Sequence, residues 1–208
     1  MSLLLFSLFA FAGCQSAYYN TMEKFGVEKR DILVDRVEDA RDAQQETKEE
    51  FSSAFEEFSS LVNFDGGNLE KAYDKMKAKF ESSEDAAEEV HDRIEAIESV
   101  ASALFREWEA EIEEYSSDSL RRKSREQLRL TRASYAALMS KMRAAESRMY
   151  PVLDMFRDQV LFLKHNLNAK AIASLDMEAG NIEEQVRKLI DEMEASIAEA
   201  DAFIASMR

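Results

Sequence analysis

The chain holds one proline and five glycines in 208 residues. Ordinary usage would give about 10 and about 15. All-β folds place such residues at their many turns, so the scarcity excludes them and predicts a few long elements. Cysteine occurs once, at Cys14, so no disulfide forms within the chain. Histidine occurs twice, at His91 and His165, which leaves little for an imidazole-based centre. No Gly-x-Ser-x-Gly, no Gly-rich phosphate loop and no Gly-x-Gly-x-x-Gly is present. The expectation is a protein that is not an enzyme and carries no cofactor and no metal. Positive charge is also short: 27 Lys and Arg face 42 Asp and Glu, for a net charge of −15. A broadly acidic surface repels nucleic acid and anionic membrane, so nucleic acid is not an expected partner.

What the chain does have is Ala, Glu, Leu, Met, Lys and Arg, all good helix formers. Large apolar residues recur throughout, which sets the chain apart from a disordered acidic tail.

The first fourteen residues are of another kind. Residues 3–12 form an apolar run, Leu-Leu-Leu-Phe-Ser-Leu-Phe-Ala-Phe-Ala. A bilayer span needs about 20 residues, so the run has the length of a signal-peptide core instead. It ends in Phe11-Ala12-Gly13-Cys14, which resembles the lipobox of bacterial lipoproteins. Small residues at Ala12 and Gly13 suit a narrow protease site, with cleavage expected between Gly13 and Cys14. The Cys14 thiol takes a diacylglycerol thioether, and its freed amine can take a third chain. Two or more chains anchor stably where one does not. Phe11 stands where Leu is usual, and no Lys or Arg precedes the run. Gln15 and Ser16 follow the cysteine, with no Asp, which resembles the pattern of lipoproteins sorted to the outer membrane, facing the periplasm.

From Phe25 onward, apolar residues alternate steps of four and three, the seam of a helix packed on neighbours. The first segment reads Leu33, Val37, Ala40, Gln44, Thr47, Phe51, Ala54, Phe58 and Leu61, and ends at Gly66-Gly67. The second runs Leu69, Tyr73, Met76, Phe80, Ser83, Ala87, Val90, Ile94, Ile97, Ala101, Leu104 and Trp108, then Ile112 and Tyr115. Ser116-Ser117-Asp118-Ser119 supplies a loop and an N-cap. The third carries Leu128, Thr131, Tyr135, Leu138, Met142, Ala145, Met149, Val152, Phe156, Val160, Leu163 and Leu167. Pro151 lies inside it and predicts a kink or a break near residues 148–151. A turn at His165-Asn166-Leu167-Asn168 leads to Ile172, Leu175, Ala179, Ile182, Val186, Leu189, Met193, Ile197, Ala200 and Ile204.

Short loops make neighbouring helices antiparallel. The predicted fold is all-α: an elongated antiparallel bundle or coiled coil of about four long helices after a cleaved lipoprotein signal peptide. The expected division is a signal peptide over 1–13, a lipidated tether over 14–24 and one helical bundle over 25–208. Charge argues for pairing of the second and third helices. Residues 81–118 hold 14 acids and two bases, a net of −12, and residues 121–148 hold nine bases and two acids, a net of +7. A fold-back at 116–119 lays one block along the other, and this selects orientation and partner.

Three motifs bear on chemistry. Glu88-Glu89-Val90-His91 contains a Glu-x-x-His, the spacing used by di-iron bundles. Such a site needs a second copy, and His165 has Phe162 three residues before it. His91 therefore reads as a helix-surface histidine. The basic cluster Arg121, Arg122, Lys123 and Arg125 reads as pairing with the acids of 109–114 across the turn. A sharper alternative is contact with anionic lipid or glycan head groups, because this turn comes back toward an anchored N-terminus. The ten Met residues and the Phe residues at helical spacing read as core filler. A seam with few polar members leaves no evident ligand cleft.

The mature start, Cys14-Gln15-Ser16-Ala17-Tyr18-Tyr19-Asn20, continues through Met22-Glu23-Lys24-Phe25-Gly26-Val27-Glu28-Lys29-Arg30-Asp31-Ile32-Leu33-Val34-Asp35-Arg36-Val37. It resembles a family of Gram-negative envelope lipoproteins built on a domain of unknown function. The resemblance extends to Ile197-Ala198-Glu199-Ala200-Asp201-Ala202-Phe203-Ile204. It implies a helical lipoprotein and carries over no functional residue. The expected role is structural or interactive: an anchored bundle presenting its surface to a periplasmic protein or to its own kind. The alternatives are a module that holds a ligand or metal between helices, and an adaptor that touches lipid or glycan through the basic turn.

Overall fold

The computed structural model of the chain describes residues 28–63, 66 and 68–208. Gly13, Cys14, the tether at 14–24 and Phe25 lie outside these residues. Among the described residues the elements are four helices: α1 Lys29–Val62, α2 Leu69–Glu114, α3 Asp118–His165 and α4 Ala169–Met207. They hold 34, 46, 48 and 39 residues. At about 1.5 Å per residue, α2 and α3 are roughly 70 Å long and α1 roughly 50 Å.

The boundaries follow local chemistry. Gly66 has φ of +140°, a backbone region open to glycine, where the chain turns from α1 to α2. The Asn68 side chain accepts from the Lys71 amide at 3.0 Å and caps α2. The Ser117 hydroxyl accepts from the Leu120 amide at 3.4 Å and caps α3. Asn166 closes α3, donating from its side chain to the Phe162 carbonyl at 2.8 Å.

The helices pack in ring order, α1 on α2, α2 on α3, α3 on α4 and α4 on α1. Ion pairs give the sense of each neighbour. Lys29 meets Glu107 and Lys79 meets Glu50, so α1 and α2 run antiparallel. Arg41 meets Asp201 and Lys48 meets Glu194, so α1 and α4 do too. Between α2 and α3 the pairs are Arg125–Glu113, Arg132–Glu109, Arg143–Glu98 and Arg157–Glu84, all at 2.7–2.9 Å. The acidic block of α2 therefore lies along the basic block of α3, as their charges predict. The result is an up-down-up-down bundle.

The seam forms the core. Leu33, Val37, Phe51, Phe58, Met76, Ile94, Ile97, Leu138, Met142, Met149, Phe156 and Leu189 are all buried. Burying a side chain of this size stabilises the fold by about 1.5–3 kcal/mol. Two expectations need correction. Of the kink or break expected at Pro151, the break does not occur: α3 is one continuous helix through it. Its buried face, Met149, Val152, Leu153 and Phe156, continues across the proline, while Pro151 itself faces solvent. In α4 the seam after Met193 passes through Ser196, fully buried, and not through Ile197. Strict three-four alternation from Leu189 and Met193 leads to Ser196, Ala200, Phe203 and Met207.

One end of the bundle is uneven. Glu28, Lys29 and Arg30 at the start of α1, and Met207 and Arg208 at the end of α4, share a groove with Glu111, Gln127 and Thr131. That groove marks the level where α1 and α4 end. The α2–α3 hairpin runs roughly 10 Å further before it turns.

Candidate functional site

Two places hold more polar chemistry than core packing needs. The first is the tip of the α2–α3 hairpin, which carries the basic cluster. Arg121 donates to Asp118 at 3.1 Å and to the Tyr115 carbonyl at 2.5 Å, so it closes the turn. Arg125 donates to Glu113 at 2.8 Å, and this bond holds the Glu113 carboxyl below its usual range. Arg122 and Lys123 are exposed, with no ion-pair partner among the described residues. The four bases thus divide: Arg121 and Arg125 shape the turn, while Arg122 and Lys123 face solvent. Leu120, 51% exposed, and Tyr115, 38% exposed, stand beside them. Below the tip, Trp108 Nε1 donates to Ser124 Oγ at 2.8 Å. Arg132 lies over the Phe105 ring at 5.1 Å, and Phe105 meets Tyr135 edge-on at 5.3 Å. Burial pushes the Tyr135 phenol up to about 12. These contacts make the base of the hairpin firm.

The second place is a polar waist halfway along the bundle. Glu146 on α3 has a side chain only 7% exposed, and it lies between His91 and Arg143. Its Oε1 is 2.5 Å from His91 Nδ1 on α2, and its Oε2 accepts from Arg143 at 2.8 Å. Arg143 also reaches Glu98, and His91 Nε2 lies 3.2 Å from Glu95. A buried carboxylate paired with Arg143 and hydrogen-bonded to His91 meets the requirement for burying charge. The bond to Glu146 raises His91 above the usual histidine range. Burial and the same carboxylate raise the Tyr150 phenol. Across the core, Ser196 Oγ on α4 donates to Gln44 Oε1 on α1 at 2.8 Å, while Gln44 Nε2 is buried with no partner among the described residues. Thr47 donates to the Ala43 carbonyl at 2.7 Å and lies 3.3 Å from the Ala86 carbonyl of α2.

The waist corrects the sequence reading in two respects. Besides the seam residues Gln44, Thr47, Ser83 and Thr131, the core also takes in Glu146 and Ser196. His91 is not a plain surface histidine but half of a bonded pair with Glu146. The Glu88–His91 spacing does not form a unit, since Glu88 is exposed and His91 turns to α3. Among the described residues, no group of three or more His, Cys, Asp or Glu side chains is placed to hold a metal ion. Glu146 carried one signal in the sequence: it is one of two acids in an otherwise basic run, next to the seam residue Ala145.

The sequence profile of a family described as "Protein of unknown function (DUF2959)" matches residues 18–207. The chain belongs to the DUF2959 family. The match covers all four helices, so bundle, hairpin tip and waist all fall within the DUF2959 domain. No curated protein and no solved structure matches the chain. Among the described residues of this DUF2959 protein, no helix is long and apolar enough to cross a membrane.

Proposed function

We propose that this protein is a lipid-anchored envelope lipoprotein of Gram-negative type, with a structural or protein-interaction role in the periplasm and no catalysis. Export and acylation at Cys14, with cleavage after Gly13, are the starting point, and the outer membrane is the proposed destination. The observation that carries this reading is the lipobox-like Phe11-Ala12-Gly13-Cys14, placed shortly before a rod whose core is filled by its own side chains. Thirteen residues separate Cys14 from Glu28, where the described structure begins. Extended, such a tether reaches at most about 50 Å. It leads into the bundle at Lys29, and Lys29 pairs with Glu107 near the α2–α3 hairpin. An anchor at Cys14 therefore holds the hairpin end near the membrane and turns the far end outward. At that far end Leu161, Phe162 and Leu167 are exposed, and a partner in the periplasm would meet them there.

A structural role fits better than a ligand-holding one. The polar waist is occupied by its own ion pairs, and the grooves along the surface are open and lined by solvated acids. Labelling cells with radioactive palmitate tests the anchor. Wild-type protein should incorporate label and fractionate with the envelope, and Cys14→Ser should do neither. Unlabelled wild-type protein with its leader retained, recovered from the cytosol, overturns the reading.

A further inference from the structure

We infer that the hairpin tip at residues 115–123 is a second membrane contact, which lies on an anionic lipid surface and holds the bundle against the membrane that carries its anchor. The inference rests on the anchored reading above. Four observations lead to it. The tip runs past the ends of α1 and α4, at the same end as the entry of the N-terminal tether. Residues 113–125 contain four bases and three acids, a net of +1 on a chain of net −15. Neutralised within the fold, Arg121 and Arg125 build the turn, which leaves Arg122 and Lys123 free to face a surface. Leu120 and Tyr115 stand exposed beside them, one aliphatic and one amphipathic ring, suited to the boundary between head groups and acyl chains.

The charge distribution sets the geometry. The acids at the tip are Glu113, Glu114 and Asp118, all exposed. Arg125 pairs with Glu113 and Arg121 with Asp118, so Arg122 and Lys123 outnumber the remaining Glu114, while Glu28, Glu107 and Glu111 lie at the groove level. Burial, and after it the neighbouring Glu107, Glu114 and Glu28, raise the Glu111 carboxyl above its usual range. With Arg121 and Arg125 paired, Arg122 and Lys123 at the end of an acidic rod favour an end-on approach to an anionic surface, while the body is repelled. The attraction acts only within about 8–10 Å at physiological salt, so it operates once the anchor has delivered the tip. Anchor and tip together give two attachments, the second intramolecular.

The test uses the full lipoprotein reconstituted into vesicles, with Ser119→Cys labelled by an environment-sensitive fluorophore. A parallel variant carries the label at Asn63→Cys, at the far end. Acylated Cys14 offers no thiol to the dye. Vesicles are phosphatidylcholine alone, or phosphatidylcholine with 30 mol%, by design about a third, phosphatidylglycerol, each doped with nitroxide-labelled lipid. The expected result is at least about twofold stronger quenching at position 119 in anionic than in neutral vesicles, with none at position 63. Quenching at 119 should fall in Arg122→Glu/Lys123→Glu and in high salt. Equal, weak quenching at 119 in both vesicles, while the protein still floats with them, overturns the tip contact and leaves the anchor standing. Protein that does not float, with Cys14 open to the dye, overturns the anchor and the tip contact together.

Discussion

His91 Nδ1 lies 2.5 Å from Glu146 Oε1 and joins α2 to α3 through a carboxylate that is 7% exposed. The bond favours the imidazolium, so the folded state raises the His91 pKa above its ordinary value of about 6.5. A group raised on folding contributes its full stabilisation below the unfolded value. That contribution is lost as pH rises through the raised, folded value. The stability advantage of wild type over His91→Gln should therefore be largest near pH 6 and shrink toward pH 9. The His91 side chain is 39% exposed, so solvent limits the effect to about 1 kcal/mol or less. Urea midpoints at the two pH values measure it; an advantage that does not change with pH refutes the pairing. Glu146→Gln should return the imidazole toward its ordinary titration, read by NMR in a His165→Gln background.

The Gln44–Ser196 bond ties α1 to α4 inside the core. Removing one partner strands the other, at about 1–3 kcal/mol, because Gln44 is fully buried. Ser196→Ala should cost that much. Gln44→Met with Ser196→Ala replaces both polar groups by apolar ones of similar shape and should recover most of the loss. A double-mutant cycle from denaturant unfolding reads the coupling. Losses that simply add would show that the two side chains do not act together. The pair also offers a physical reason for a polar layer in an otherwise apolar seam: it penalises pairings of α1 and α4 that are out of register.

Those two relationships mark where the sequence was legible. The apolar seams of α1, α2 and α3 could be read from the sequence except at their ends, where Tyr115 and Leu167 fall beyond the helices and are exposed, because burial of large side chains imposes a three-four period. Even Gln44, Thr47, Ser83 and Thr131 fall on it and are buried. In α4 the choice of Ile197 over Ser196 followed hydrophobicity where the period decides, and this hid the partner of Gln44. Glu146 was hidden for a different reason. Its burial depends on His91 and Arg143, and His91 lies 55 residues away on another helix. Periodicity within one helix carries no record of such a pairing; only the antiparallel register of α2 and α3 does. The charge blocks did encode that register, and the ion pairs from Arg125–Glu113 to Arg157–Glu84 realise it.

Gly180 offers a gain in stability. It lies inside α4, is exposed, and a Cβ added there meets nothing within 4 Å. Glycine in a helix interior is less favourable than alanine by about 0.5–1 kcal/mol, chiefly through backbone entropy. Gly180→Ala should raise the urea midpoint by that amount with an unchanged slope. A loss of stability would show that the residue meets a contact absent from this bundle.

Pro151 is the stronger case, because two effects compete there. A proline lacks the amide that would bond the carbonyl four residues earlier, here Ser147, and its ring crowds that carbonyl; in a helix interior the cost is about 3 kcal/mol. Against this, proline restricts the unfolded chain, which is worth about 0.4–1 kcal/mol to the fold. The ring faces solvent, so water can reach the Ser147 carbonyl, and the buried face on either side keeps α3 in one piece. The larger effect should still win. Pro151→Ala should stabilise the bundle by about 1–3 kcal/mol in equilibrium unfolding. Neighbouring residues 147–150 should also exchange their amide hydrogens more slowly, since the helix gains a bond at that point. If the variant is instead less stable, the backbone geometry that proline imposes is what fits Met149 and Val152 into the core, and that fit contributes more than the missing bond costs.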